Sequence, residues 1–117
     1  MEIVLIRDLT GITYCGYVPN VPYQIEGDPR FERIQLEEED ADLLVEDFVE
    51  PIDKLCGALL DDGDFDYFDK NKCLKMKRWL EERLKKGCSS KLGIIYAKLL
   101  KFSEEALGLN TGIIIDL

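Results

Sequence analysis

Few of the side chains that carry nucleophilic or metal chemistry are present, and none has the spacing that such chemistry needs. The 117 residues contain four cysteines and no histidine. The cysteines lie far apart, at Cys15, Cys56, Cys73 and Cys88, so none forms the C-x-x-C pair typical of zinc sites. Without histidine, every cysteine and serine lacks its usual activating base. We therefore expect the four thiols to be reduced, buried structural groups.

No other catalytic pattern takes the place of histidine. The chain has no P-loop, and no Gly-rich turn has the spacing of a dinucleotide-binding site. A carboxylate-only mechanism, as in glycosidases, needs two acids across a cleft, and sequence cannot place such a pair among 24 acidic residues. We expect a protein that is not an enzyme and that has no metal site and no cofactor.

The carboxylates are abundant, and most of them are concentrated in one block. The net charge is −9. Residues 37–69 hold 14 acids and a single base, Lys54, whereas residues 70–101 hold 11 bases and 2 acids. Such an acidic surface would steer a basic partner into contact, or imitate the phosphate spacing of a nucleic acid. It could equally serve only to keep the surface solvated.

One segment of this block, DGDFDY at residues 62–67, has carboxylates at alternate positions, like the start of a calcium-binding EF-hand loop. Such a loop needs Gly at its sixth place and Glu at its twelfth. Counting from the first aspartate, those places hold Tyr67 and Cys73. We therefore predict a solvated acidic turn. The aromatic residues in this segment and directly after it, Phe65, Tyr67 and Phe68, either fasten the loop to the core or contact a partner.

Both ends of the chain have the composition of β-strands. Glu2 to Asp8 and Ile12 to Val18 predict two strands joined as a hairpin through Leu9-Thr10-Gly11. Residues 31–36 predict a short extended piece. The isoleucine run 113–115 is typical of a strand covered on both faces. Pairing of the two chain ends in one sheet would explain why both are apolar.

The middle of the chain has helical patterns. A helix is predicted from Glu37, with a break or kink near Glu50 caused by Pro51 and a short second helix over residues 55–60. Asp69 and Gly87 predict the two ends of a helix over residues 70–86. Ser89 or Ser90 is predicted to cap a last helix, which Gly108 and Asn110 are predicted to stop.

These elements predict one α+β domain over residues 1–117. In it, a small sheet made of the N-terminal hairpin and the C-terminal strand is packed with three to four helices. The opening apolar run is too short and too acidic for a signal peptide, and no segment reaches the roughly 20 apolar residues of a membrane span. We therefore expect a cytoplasmic protein without a membrane partner.

The predicted helix 70–86 has a strongly basic face, which could bind phosphates. The domain as a whole is acidic, however, and would repel nucleic acid at long range. Trp79 falls beside the apolar stripe, so we expect it in the core instead of stacked on a base. We expect no direct nucleic-acid binding. The cations of this face are Lys70, Lys72, Lys75, Lys77, Arg78, Arg83, Lys85 and Lys86.

The chain is small and acidic, lacks a catalytic set, and ends in LNTGIIIDL (residues 109–117) after two amphipathic helices. In these features it resembles bacterial toxin-immunity proteins. These are cytoplasmic antidotes of polymorphic or contact-dependent growth-inhibition toxins. The resemblance implies tight binding to a cognate toxin domain, often a basic nuclease. The partner-binding residues would be acids that meet Lys and Arg on the toxin, with aromatic anchors among them: Glu38, Glu39, Asp42, Glu46, Asp62, Asp64, Phe65, Asp66 and Tyr67.

Two other functions remain open. An inhibitor that mimics DNA would share the acidic surface but bind several DNA-binding proteins, and duplex DNA would compete with it. A non-catalytic subunit that dimerises through the exposed ends of the sheet would instead be recognised by its mass in solution.

Overall fold

The computed structural model describes residues 1–21, 27–60 and 65–117. Its centre is a four-stranded antiparallel sheet in the order β4-β1-β6-β5, and β2 and β3 pair separately with each other. The strands are β1 (Glu2–Ile6), β2 (Tyr14–Cys15), β3 (Val18–Pro19), β4 (Phe31–Gln35), β5 (Phe65–Phe68) and β6 (Ile113–Asp116).

Three long helical segments pack on one face of the sheet. The first is continuous and consists of α1 (Glu38–Leu44), a π-helical stretch (Val45–Val49) and α2 (Glu50–Cys56). It is followed by α3 (Lys70–Lys86) and α4 (Ser90–Leu109). The predicted α+β class is confirmed. In the described part of the chain, no helix combines the length and the apolar character needed to cross a bilayer.

The predicted pairing of the two chain ends is confirmed, and it places the isoleucine run at the centre of the sheet. β1 pairs with β6 from Glu2 opposite Asp116 to Leu5 opposite Ile113. Ile113 and Ile115 belong to the main core under the helices, whereas Ile114 belongs to a smaller cluster on the other face. The run is therefore covered on both sides, as its composition indicates.

The predicted N-terminal hairpin is wrong. Both edges of β1 are already occupied, one by β6 and the other by β4, which confirms the extended piece at residues 31–36. No edge of β1 remains for residues 12–18. They fold back on themselves instead, with Cys15 opposite Val18 and Gly16 at φ 64°, a conformation that suits the tight two-residue turn.

The first helical segment differs from its prediction in two ways. The helix has no break near Glu50 and is distorted locally instead, because the turns before Pro51 widen into the π-helical stretch. A local π turn keeps a helix continuous next to a residue that has no N–H to donate. Residues 55–60 form no separate helix, because α2 ends at Cys56 and Gly57 follows in the left-handed conformation at φ 66°.

The predicted ends of the two later helices are confirmed. The Asp69 carboxylate accepts a hydrogen bond from the Lys72 N–H at 3.0 Å, and the Ser89 hydroxyl accepts one from the Leu92 N–H at 3.3 Å. Asn110 ends α4 in the left-handed conformation, whereas Gly108, also predicted to stop the helix, lies within it. Of the acidic turn predicted at residues 62–67, residues 62–64 lie outside the described residues.

The cysteine prediction is correct at Cys56 and Cys73, which are buried, but wrong at Cys15, which is exposed on the small hairpin. Cys88 is partly exposed. Burial raises the pKa of the Cys73 thiol to about 12 and also raises that of Cys56. These two buried thiols are therefore held in the unreactive protonated form.

The start of β6 leaves no room for a side chain at Gly112. A Cβ atom there would lie 2.5 Å from the Tyr67 hydroxyl oxygen and would also overlap the Phe68 carbonyl. We predict that Gly112→Ala lowers the free energy of unfolding by about 1–3 kcal/mol, the usual cost of overpacking. Urea titration followed by circular dichroism would measure the change.

The matched control for this substitution is Gly108→Ala. Gly108 lies within α4, and a Cβ there would meet no atom within 4 Å. Alanine should therefore stabilise the helix by about 0.5–1 kcal/mol. Equal effects of the two alanine substitutions would contradict the close approach of β6 to β5.

Candidate protein-binding surface

One face of the first helical segment is a row of exposed carboxylates, and we call this face the acidic ridge. It consists of Glu38, Asp42, Val45, Glu46 and Glu50, all exposed. The four acids recur at every fourth position, a spacing that places helical residues on one side. The carboxylates near the start of α1 also suit the positive end of the helix dipole.

Most of the acids on the ridge have no internal cation. In the described part of the chain, no Lys or Arg nitrogen lies within 4.0 Å of Glu38, Asp42 or Glu46. Glu50 pairs with Lys54 at 3.0 Å, but both side chains are largely exposed, so the pair contributes little to stability. The ridge therefore presents a dense negative surface to solvent.

The ridge also has an apolar centre. Val45 is 53% exposed and lies among the carboxylates, where the π-helical stretch begins. Leu55 and Leu59, farther along the chain, are exposed as well. Protein interfaces combine a small apolar centre with a polar rim. An exposed valine among acids has this composition.

The neighbouring carboxylate, Asp47, points inward and fixes the segment to the rest of the fold. It accepts hydrogen bonds from Arg83 Nε at 3.1 Å and Nη2 at 3.0 Å, and from the Tyr96 hydroxyl at 2.5 Å. Arg83 also donates to the Gly87 carbonyl. A single side chain of the π-helical stretch thus joins the ridge to α3 and α4.

Aromatic side chains pack around the hydrogen bonds that join Asp47 to Arg83 and Tyr96, which we call the Asp47 joint. The rings of Phe48 and Trp79 pack edge to face at 5.6 Å between centroids, and those of Trp79 and Tyr96 do the same at 5.6 Å. Edge-to-face contacts of this kind stabilise beyond simple burial. Trp79 therefore packs against the core, as its position beside the apolar stripe predicts.

The hydrogen bonds to Asp47 shift its protonation. Burial alone would raise the pKa of Asp47, but the bonds from Arg83 and Tyr96 outweigh it and lower the pKa below its usual value of 3.8. Burial and the bond to Asp47 together raise the pKa of the Tyr96 hydroxyl. Asp47 is therefore ionised and Tyr96 protonated at neutral pH.

Of the partner-binding residues predicted from sequence, the structure brings four together. Glu38, Asp42 and Glu46 lie on the acidic ridge, and Glu39 is adjacent. Glu39 pairs with Lys91 at 2.9 Å, so it is engaged at least in part within the chain. Asp62 and Asp64 lie outside the described residues.

The structure contradicts the prediction that Asp66 faces a partner. Asp66 is only 1% exposed and accepts hydrogen bonds from the Tyr67 N–H at 2.8 Å and the Leu59 N–H at 3.0 Å. The Tyr17 hydroxyl donates to it as well, and Lys72 Nζ lies 4.0 Å away. This carboxylate is an internal anchor of the fold.

The aromatic residues around Asp66 are not in a loop but in strand β5, so their side chains alternate between the two faces of the sheet. Phe68 is buried under the helices and Tyr67 is buried on the opposite face, so neither is available to a partner. Phe65 is 51% exposed, but it faces the same side as Tyr67, away from the helices. The alternation in Phe65–Phe68 was the signal that sequence reasoning missed.

In the described part of the chain, the basic face of α3 meets acids of residues 37–69 at two points. Arg83 bonds to Asp47, and Lys72 Nζ lies 4.0 Å from Asp66. Lys77 and Lys85 pair with glutamates of α3 itself. Among the described residues, no cluster of three or more Cys, Asp or Glu side chains could hold a metal ion.

We predict that Asp47→Asn lowers the free energy of unfolding by about 1.5–3 kcal/mol at pH 7, because it removes charge-assisted hydrogen bonds. The depressed pKa of Asp47 contributes stability above the unfolded value near 3.8, and this stability is lost as the pH falls through the folded value. Urea titrations at pH 7 and pH 3 would therefore show a smaller loss on acidification in the variant than in the wild type.

Asp42→Asn is the matched control, since it removes the same charge from the same helical segment at an exposed position. It should change stability by less than about 0.5 kcal/mol. A destabilisation as large as that of Asp47→Asn would show that the loss comes from helical charge and not from the joint.

Comparison with known proteins returns no relative from which a function could be transferred. No protein-family model, no curated protein and no solved structure matches the chain.

Proposed function

We propose that this protein is a non-catalytic inhibitor that binds a basic protein domain through the acidic ridge. The observation that carries the proposal is the set of exposed acids Glu38, Asp42 and Glu46, which have no cation partner in the described part of the chain. Acids without internal partners can meet external cations without breaking an existing ion pair. Three of the four carboxylates of the ridge are in this state, and the fourth, Glu50, pairs only with the exposed Lys54.

Binding would proceed in two stages. The negative field of the ridge attracts a positively charged partner and raises the association rate, an effect that salt screens. Contact then buries Val45, which supplies the apolar centre of the interface, while the carboxylates form its rim. The Asp47 joint holds the helical segment in place, so little ordering is needed on binding.

The resemblance to toxin-immunity proteins gives the partner a class. A toxin nuclease uses Lys and Arg side chains to hold phosphates, and a row of carboxylates would occupy the same cations. The ridge would then inhibit by covering the path of the nucleic acid. We propose a cognate toxin domain of this basic kind as the partner.

The test is a titration against the protein encoded by the adjacent gene. We expect 1:1 binding in the nanomolar range by calorimetry, and an association rate in stopped-flow experiments that falls as salt increases. The double variant Asp42→Lys/Glu46→Lys should lower the association rate by at least about tenfold at low salt, because it reverses two steering charges.

The control is Glu82→Lys/Glu104→Lys, which makes the same change in net charge at exposed positions of α3 and α4. It should reduce the rate much less than the ridge variant. Equal reductions of the association rate would mean that only the total charge matters, and they would refute the acidic ridge as the binding surface. The absence of binding at both low and high salt would refute the proposal that the partner is a cognate toxin domain.

A further inference from the structure

The face of the sheet opposite the helices holds a groove that the proposed function does not use. Its floor is formed by Val4 and Ile114, and residues of the small hairpin, including Cys15 and Val18, form one wall. The exposed ring of Phe65 lies at its side. The groove has a volume of about 340 Å³, within the range of small-ligand sites.

One end of this groove carries two carboxylates directly opposite each other. Glu2 of β1 pairs in register with Asp116 of β6, and both line the groove. Arg33 donates to both oxygens of Glu2, at 2.7 and 2.9 Å, and Gln35 adds a third bond at 3.2 Å. Glu2 is therefore neutralised within the chain.

Asp116 has no such neutralisation. No Lys or Arg nitrogen of the described residues lies within 4.0 Å of its carboxylate. Like charges opposite each other on neighbouring strands destabilise a sheet. Two carboxylates with one guanidinium leave an unbalanced negative charge at the end of a groove whose other lining residues are mostly apolar.

We propose that this groove binds a small organic cation with an apolar or aromatic body. The body would lie over Val4 and Ile114 beside the ring of Phe65, and its ammonium group would meet Asp116. The negative charge of the groove argues for this occupant, because a bound cation would balance the carboxylate charge that Arg33 does not neutralise. The ring supports it, since aromatic faces attract cations. The site is separate from the acidic ridge, and neither proposal depends on the other.

The test uses 2-phenylethylammonium as the probe and phenylacetate as a comparison of similar shape and opposite charge. Calorimetry would measure binding, and mass spectrometry would follow alkylation of Cys15 by iodoacetamide. Cys15 lines the groove and is exposed, so it reports occupancy directly. We expect saturable 1:1 binding of the cation with slower alkylation of Cys15, and no binding of the anion.

Two variants locate the site. Asp116→Asn should weaken binding of the cation by about fivefold, the size of a partly exposed charge pair, whereas Glu104→Gln on α4 removes the same charge far from the groove and should have no effect. Phe65→Ala removes an exposed ring and should also weaken binding, which provides a second test if Asp116→Asn is poorly folded.

Three results would overturn the proposal. The first is the absence of saturable binding of 2-phenylethylammonium to the wild-type protein. The second is equal binding of phenylacetate, which would show that the groove does not select charge. The third is unchanged affinity in folded Asp116→Asn or in Phe65→Ala, which would place the bound cation elsewhere on this acidic protein.

Discussion

The arrangement of the helices depends on the carboxylate of Asp47. It accepts from two nitrogens of Arg83 and from the hydroxyl of Tyr96, so one side chain connects all three helical segments. The π-helical stretch, in which Asp47 lies, has Glu46 exposed and Asp47 partly buried at adjacent positions. The same short stretch therefore supplies both the outward negative surface and the inward joint that holds it still.

The local features of this fold could be read from sequence because they depend on neighbouring residues. Asp69 and Ser89 begin α3 and α4 by accepting bonds from N–H groups three residues on. The predicted N-terminal hairpin is wrong because strand pairing depends on residues that are distant along the chain. Nothing in Ile12 to Val18 shows that both edges of β1 are taken by distant strands, although Gly16 marks the turn.

The candidate surface also combines features that can be predicted from neighbouring residues with features that depend on long-range contacts. The charges of Glu38, Asp42 and Glu46 and their helical spacing are visible in the sequence, and so is their common face. Asp66 looks equivalent in sequence, yet it is buried by Tyr17 and the backbone of Leu59, which are far apart along the chain. Whether an acid is exposed or internal depends on tertiary contacts, and charge counting does not reveal them.

The place of β6 in the sheet has a consequence for how the chain folds. β6 lies between β1 and β5, so the contacts that complete the sheet join residues separated by almost the whole chain. Such non-local contacts slow folding, because a long loop must close before they form. On the ribosome, β1 is made before β6 and has one edge open until β6 is made. An unfinished chain therefore exposes an apolar strand edge, the kind of surface on which aggregation starts.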